Sequence, residues 1–443
     1  RFRADDRRRG TGAVVLTGRT ALLALLGAVV VALAAPSATG VVVVTAGVLA
    51  VAVIDATLAG PVRSLRLTRT GDRAVRLGET ARVVLQVSND RRRVRGVVRD
   101  AWPPSAGATD DRAALDVGPG ERQLVEVSLR PTRRGDRPAD LVTVRSIGPL
   151  GLAGRQGSHS VPWTLRVLPP FRSRRHLPSR MARLRELDGR SAVRVRSAGT
   201  EFDSLREYVV GDDTRSIDWR ATARGGGVVV RTWRPERDRH VLIVLDTGRT
   251  SAGRVGDAPR LDAAMDAALL LAALATRAGD RVDLLAFDRR PRATVERSSP
   301  TEVLPRLVDA MARLEPELLE TDFRGLAVEV LRRAGQHSLV VLLTGLDAGP
   351  VEEGLLPVLG RLTHRHTVLV AAVADPRVAQ MAAGRGDTEA VYGAAAAERD
   401  RAGRYRVSRL LERHGAHVVD APPEELAPAV ADAYLSLKAA GQL

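Results

Sequence analysis

Three short stretches carry oxygen donors on which chemistry could be built: Asp246-Thr247-Gly248-Arg249-Thr250, Glu320-Thr321-Asp322 and Thr344-Gly345-Leu346-Asp347. If Asp246, Thr250, Thr321 and Asp347 converge, they present carboxylates and hydroxyls to one point. Such hard donors suit Mg²⁺ or Ca²⁺. Short oxygen side chains also cap turns and helices, so Asp246 and Thr250 have a structural use as well. A second group lies upstream: Glu207, Tyr208, Gly211, Asp212, Asp213, Arg215, Asp218, Trp219 and Arg224. Its interleaved charges suit bidentate ion pairs that pin a segment down. Its arginine and aromatic side chains equally suit a docking surface. Tyr208 and Trp219 read as apolar anchors of the segment; Asp212, Asp213 and Arg215 sit in a turn open to either role.

Motifs of catalysis are missing. The sequence holds no glycine-rich phosphate loop, no His-Glu-x-x-His and no nucleophile elbow. With no cysteine, thiol catalysis, disulfides and cysteine-ligated metals are excluded. The eight histidines are scattered; His364 and His366 flank a helix-to-strand junction and read as capping or solvated. An enzyme is not expected, and a metal-dependent hydrolase is the weaker alternative.

The elements that must position these residues follow from periodicity. The apolar run Val241–Leu245 reads as a strand ending in Asp246. Helices are expected at Arg260–Ala278, Glu302–Leu314, Arg324–Arg333, Val351–His364, Tyr405–His414 and Glu424–Ala439, with strands at Arg281–Phe287, Ser338–Leu343, Thr367–Ala374 and His417–Val419. Continuous apolar strands separated by helices predict a doubly wound parallel sheet over 239–443. Sites in such sheets form beyond the carboxyl ends of the strands, where the oxygen donors fall.

Upstream, residues Thr20 to Ile54 carry no charge. The run exceeds the roughly 20 residues of one membrane-spanning helix, and Pro36-Ser37-Ala38-Thr39-Gly40 interrupts it. Two spans within 16–58 are expected, a transmembrane helical hairpin after a basic N-terminus over 1–15. Arginines flank the hairpin on both sides and none lies in its turn, which places both ends in the cytoplasm. The rival is a signal peptide cleaved near Ala35, after which the second run still needs a membrane. Residues 64–168 alternate with period two between turn signals, as in an immunoglobulin-like β-sandwich. Residues 171–198 read as a basic linker, able to attract anionic lipid headgroups or equally to stay solvated with a short helix at Ser179–Leu187. The net charge of +16 is almost all arginine. In the 171–198 linker no aromatic side chains interleave with the arginines for base stacking, so nucleic acid is not the expected partner.

Two resemblances gather these readings. The sheet and its strand-end donors resemble the von Willebrand factor type A domain, whose adhesion site uses Asp-x-Ser-x-Ser, then a Thr, then an Asp. Asp246, Thr250 and Thr321 match three positions. Gly248 stands where the family has its first Ser. Gly345 stands where it has Asp, with Asp347 two residues on. The segment from Gly199 through Glu207-Tyr208, Gly211-Asp212-Asp213, Arg215, Asp218-Trp219 and Arg224 (within 199–238) resembles the signature of the domain-of-unknown-function family fifty-eight. That resemblance implies a bacterial inner-membrane protein with two N-terminal spans, a β-domain and a von Willebrand A-like domain. Its implied partners are MoxR-type AAA+ ATPases and transglutaminase-like membrane proteins. It implies no enzymatic activity; an adaptor is expected, or a protein-binding module with a Mg²⁺ or Ca²⁺ site.

Overall fold

The computed structural model describes residues 13–34, 36–194, 201–210, 212, 214–225, 227–234, 239–335 and 337–443. It divides the chain into two compact units, Arg1–Leu168 and Pro169–Leu443.

In the first unit the uncharged run forms two helices, Gly18–Ala34 and Ala38–Leu58. Ser37 opens the second by accepting the Gly40 N–H at 3.1 Å, as an N-cap residue does. The helices lie so close that a Cβ on Gly27 would meet Val44 Cγ1 at 2.5 Å. The apolar stretch Ala38–Ser64 is long enough to cross a bilayer. Gly18–Ala34 is shorter, about 25 Å at 1.5 Å per residue. The first span was expected to start at Leu16, but Ala13–Leu16 is a strand that pairs with residues 153–156. The hydroxyls of Thr17 and Thr20 explain this boundary: they bond the carbonyls of Gly151 and Leu152 and tie the chain to the sheet before the helix begins.

A β-sandwich follows. One sheet holds Arg66–Gly71, Ala81–Ser88 and Arg122–Leu129; the other orders Ala13–Leu16, Ala153–Leu168, Gly135–Ile147, Val94–Asp100 and Arg112–Val117, with Ala74–Arg76 beside Ala153–Leu168. Period two sends Ala81, Val83, Leu85 and Val87 into the core while Arg82 faces out. Arg69 breaks the pattern. It is buried, paired with Asp100 at 2.5 Å, bonded to the carbonyls of Ala139 and Val161, and stacked 5.6 Å from the Trp102 ring. Four interactions of one guanidinium offset its removal from water.

The second unit begins at Pro169. Residues 171–198, expected as a linker, contain a 3-10 turn at Arg172–His176 and an 18-residue helix, Leu177–Arg194. Leu177 and Leu184 are buried one heptad apart. Ser173 bonds Asp266 through its N–H and hydroxyl, and Arg180 and Arg183 bind Asp432. The two arginines dock the helix onto Pro423–Ala439 while Ser173 ties its approach to Arg260–Arg277, so part of the basic excess is internal glue. Burial pushes the Asp266 carboxyl up, and its bonds from Ser173 pull the other way.

The central sheet runs Pro291–Val295, Arg281–Phe287, His240–Asp246, Leu339–Leu343, Thr367–Val373, Ala416–Ala421. The last five are parallel; Pro291–Val295 is an antiparallel edge strand that periodicity did not reveal. Every residue of His240–Asp246 is buried, as expected of a strand covered on both faces. Leu242 and Val244 face Phe323, Leu326 and Val330 of one helical layer. The helix expected at Tyr405–His414 runs from Thr388 to Arg413, opened by Asp387, which accepts the Ala390 N–H at 2.7 Å.

Candidate functional site

Parallel register brings the carboxyl ends of neighbouring strands level: Asp246 lies opposite Phe287, and Leu245 opposite Leu343. Residue 344 therefore emerges beside residue 246. The Asp246 carboxylate is fully buried and fully used. Its Oδ1 accepts the Gly248 N–H at 2.8 Å and the Thr321 hydroxyl at 2.5 Å. Its Oδ2 accepts Thr250 at 3.0 Å and Thr344 at 2.5 Å. Three hydroxyls from three separate loops thus converge on one carboxylate. Sequence reasoning singled out Asp246, Thr250 and Thr321; it placed the Thr344 stretch at the same spot but chose Asp347 from it, whereas the register selects the hydroxyl of Thr344.

The two glycine departures acquire a steric cause. A Cβ on Gly248 would lie 2.1 Å from Thr321 Oγ1 and 2.9 Å from the Leu319 carbonyl, so a serine there collides with the hydroxyl that holds Asp246. A Cβ on Gly345 would lie 2.7 Å from Asp347 Oδ2 and 3.1 Å from Thr250 Cβ. The Asp347 carboxylate has swung back into the volume a side chain at 345 would fill. Arg260 Nη1 stands 3.5 Å from it. In kind, these donors fit a hard cation: each threonine gives its proton to Asp246 and its oxygen retains lone pairs. In number they fall short, because neither glycine contributes a ligand and Arg260 already balances Asp347. Leu318 and Leu319, 77 % and 46 % exposed, rim the cluster with apolar surface.

The upstream group forms a ribbon of two antiparallel strands, Glu201–Glu207 and Val229–Arg234, with a 3-10 turn at Thr214–Ser216 and a short helix, Trp219–Gly225. Asp212 clamps Arg206 through both oxygens, 2.7 and 2.6 Å, and accepts the Val209 N–H. The side-chain hydrogen bond to Asp212 raises the Arg206 pKa. Asp218 accepts the N–H groups of Arg220 and Ala221 and the Arg231 guanidinium. The bond from Ala221 and then Arg231 hold its carboxyl below the usual range. The expected pinning role falls on Arg206, Asp212, Asp218 and Arg231. Trp219, expected as an apolar anchor, is instead 68 % exposed, because it opens its helix on the outer side. Val209 and Val210 are exposed beside the turn, and Glu207, Arg215 and Arg224 are exposed too, while Tyr208 is half-buried. Gly211 and Asp213 lie outside the described residues.

A further polar cluster, unforeseen from the sequence, occupies the opposite end of the same strands. His240 Nε2 lies 2.8 Å from Asp283 Oδ2, and its Nδ1 lies 3.0 Å from Ser338 Oγ. These are the residue types of a hydrolytic triad. All three are buried, and Ser338 also donates to the Gly335 carbonyl, so the group ties strand starts together instead of facing a substrate. Burial opposes ionisation of Asp283, yet the bond and charge of His240 outweigh it and its carboxyl lies low. His366, expected at the surface, is buried among these groups with both ring nitrogens unpartnered. Burial, then Arg365, His240 and His337, push its pKa down.

Comparison with known proteins locates the chain among uncharacterised relatives. Uncharacterized proteins of Mycobacterium bovis and Mycobacterium tuberculosis are each 26 % identical over 186 residues, 40 % of this chain and 56 % of theirs. The chain thus spans about half the length of the curated relatives it matches. Among solved structures, the CARDB domain of a Pyrococcus furiosus protein in complex with di-metal ions is 18 % identical, covers 24 % of this chain and 90 % of its own, and has a TM-score of 0.17. Proximal thread matrix protein 1 from the mussel byssus is 11 % identical over 46 % of this chain and 47 % of its own, with a TM-score of 0.29. A family model described as protein of unknown function DUF58 matches residues 204–407, from the exposed ribbon through most of the central sheet.

Proposed function

We propose that this chain is a membrane-anchored scaffold whose cytoplasmic α/β unit, of von Willebrand A-like type, presents a docking surface to a protein partner, an AAA+ ATPase of the MoxR type. The observation that carries this reading is the exposed face of the 201–234 ribbon. Trp219, Val209 and Val210 stand 68 %, 62 % and 95 % exposed, with Arg215 and Arg224 close by in sequence. Aromatic and arginine side chains on a frame fixed by ion pairs are what interface anchors require. The two apolar helices support the anchor, and the arginines flanking them support the cytoplasmic orientation. The test is recovery of an ATPase with the tagged chain from detergent-extracted membranes. Exchanging residues 211–224 for a neutral loop should abolish recovery; undiminished recovery would refute the docking site.

A second reading has its own observation, the return of the Asp347 carboxylate to the place left open by Gly345. Thr250, Thr321 and Asp347 are the residues that would hold Mg²⁺ or Ca²⁺, and the ion would supply positive charge for a partner's carboxylate. Calorimetric titration with either cation, lost on Asp246→Ala, would favour this module. Absence of heat from the folded wild type would leave the cation-free scaffold.

A further inference from the structure

The C-terminal end of the helix Ala38–Leu58 carries an arrangement that a simple tether does not need. Asp55 is fully buried at the end of a helix where the macrodipole disfavours a carboxylate. Its oxygens accept the N–H groups of Leu150, Leu152 and Ala153 at 2.8, 2.7 and 2.9 Å. A turn of the sandwich has closed around it. Arg155 Nε bonds the Ala56 carbonyl at 2.9 Å and Arg92 Nη2 the Thr57 carbonyl at 3.3 Å, which places two guanidiniums at the negative end of the helix. Arg19 Nη1 lies against Gly151, 2.7 Å from where a Cβ would stand. Helices and sandwich are therefore locked together, with three arginines gathered where apolar helix gives way to polar sheet.

A groove of about 560 Å³ runs between the two helices, from Thr17 and Thr20 near this end to Val31 and Val41 toward the hairpin turn. Thr17 and Thr20 lie at its collar end, and Ala24, Ala28, Val44 and Val48 line its apolar length. We propose that this groove and collar bind one anionic phospholipid, its acyl chain along the groove and its phosphate among Arg19, Arg92 and Arg155. The inference rests on the membrane reading above and assigns the lipid that reading leaves open. Arg92 and Arg155 each commit one described N–H to a helix carbonyl, so each fork keeps donors for a phosphate oxygen. Leu150, 53 % exposed in the turn that holds Asp55, continues the apolar surface beside them.

The test uses the full chain, reconstituted into bilayers of phosphatidylcholine containing a minor share of phosphatidylglycerol, then re-extracted gently. Retained lipid is measured by mass spectrometry. Wild type should retain phosphatidylglycerol several-fold above its bulk share. Two variants should lose that enrichment while still inserting: Arg19→Gln/Arg92→Gln/Arg155→Gln, which removes the collar, and Ala24→Phe, which fills the groove. Arg82→Gln/Arg112→Gln/Arg133→Gln removes equal charge at the other end of the sandwich strands and should retain enrichment. Wild type that inserts without enrichment, or a charge control that loses it equally, overturns the site while leaving the anchor intact. Failure to insert in any bilayer overturns the membrane reading and this proposal with it.

Discussion

Gly248 offers the sharpest test of how the Asp246 cluster is built. A methyl group there would lie 2.1 Å from Thr321 Oγ1, far inside the 3.5 Å or so at which atoms attract. Thr321 would have to retreat by about 1 Å, and its 2.5 Å bond to Asp246 would not survive. Overpacking costs about 1–3 kcal/mol and a lost bond to a buried charge about 1.5–3 kcal/mol. Gly248→Ala should therefore destabilise by about 2.5–6 kcal/mol. Thr321→Ala removes only the bond and should cost about 1.5–3 kcal/mol. In the double variant the main clash has gone, leaving the 2.9 Å approach to the Leu319 carbonyl. Its cost should fall below the sum of the two by about 1–3 kcal/mol, the coupling expected of touching groups. Urea unfolding of Pro169–Leu443, followed by circular dichroism, measures all three. Additive costs, or a neutral Gly248→Ala, would refute the steric account. Gly248→Ser should behave like Gly248→Ala, so restoring the adhesion-type serine should damage the cluster.

Two further perturbations probe buried charge. Arg69→Ala leaves Asp100 buried without its partner and should cost about 3–5 kcal/mol, whereas Arg69→Met/Asp100→Leu should recover most of that; thermal unfolding compares them. His366 has a folded pKa below its unfolded value of about 6.5, so the unfolded chain binds the extra proton and the stability linked to neutral His366 is lost as pH falls below about 6.5. His366→Phe should flatten the melting temperature between about pH 6.5 and its folded pKa; wild-type and variant profiles that stay parallel there would contradict it. Asp283, whose carboxyl lies low, contributes stability that disappears only at more acid pH, so the two losses separate.

The α/β architecture was legible because its strands are covered on both faces and therefore apolar without interruption, as in Val241–Leu245. Pro291–Val295 was not, because an edge strand of five residues with alternating exposure has no such run. A short helix at Ser179–Leu187 was legible, but the full span Leu177–Arg194 and its docking were not: composition read its arginines as solvated or lipid-facing, while Asp432, the partner of Arg180 and Arg183, lies far along the sequence. Asp246, Thr250 and Thr321 could be placed together from strand ends. Thr344 required the parallel register, and the His240, Asp283, Ser338 group required it at the other end of the strands.

Glycine at 248 and glycine at 345 look in the sequence like two losses from an adhesion motif. In the structure each is the complement of another side chain. Thr321 occupies the space beside Gly248, Asp347 the space beside Gly345, and Thr344 adds a hydroxyl to the same carboxylate. A donor set eroded at random would leave unsatisfied oxygens, since buried polar groups without partners are costly. Here Asp246 accepts four bonds, and neither Asp246 nor the threonines around it are among the described buried atoms that lack partners. The cluster is therefore a complete bonded unit in which each glycine leaves room for a neighbouring side chain, and the Gly248–Thr321 coupling is the quantity that measures that fit.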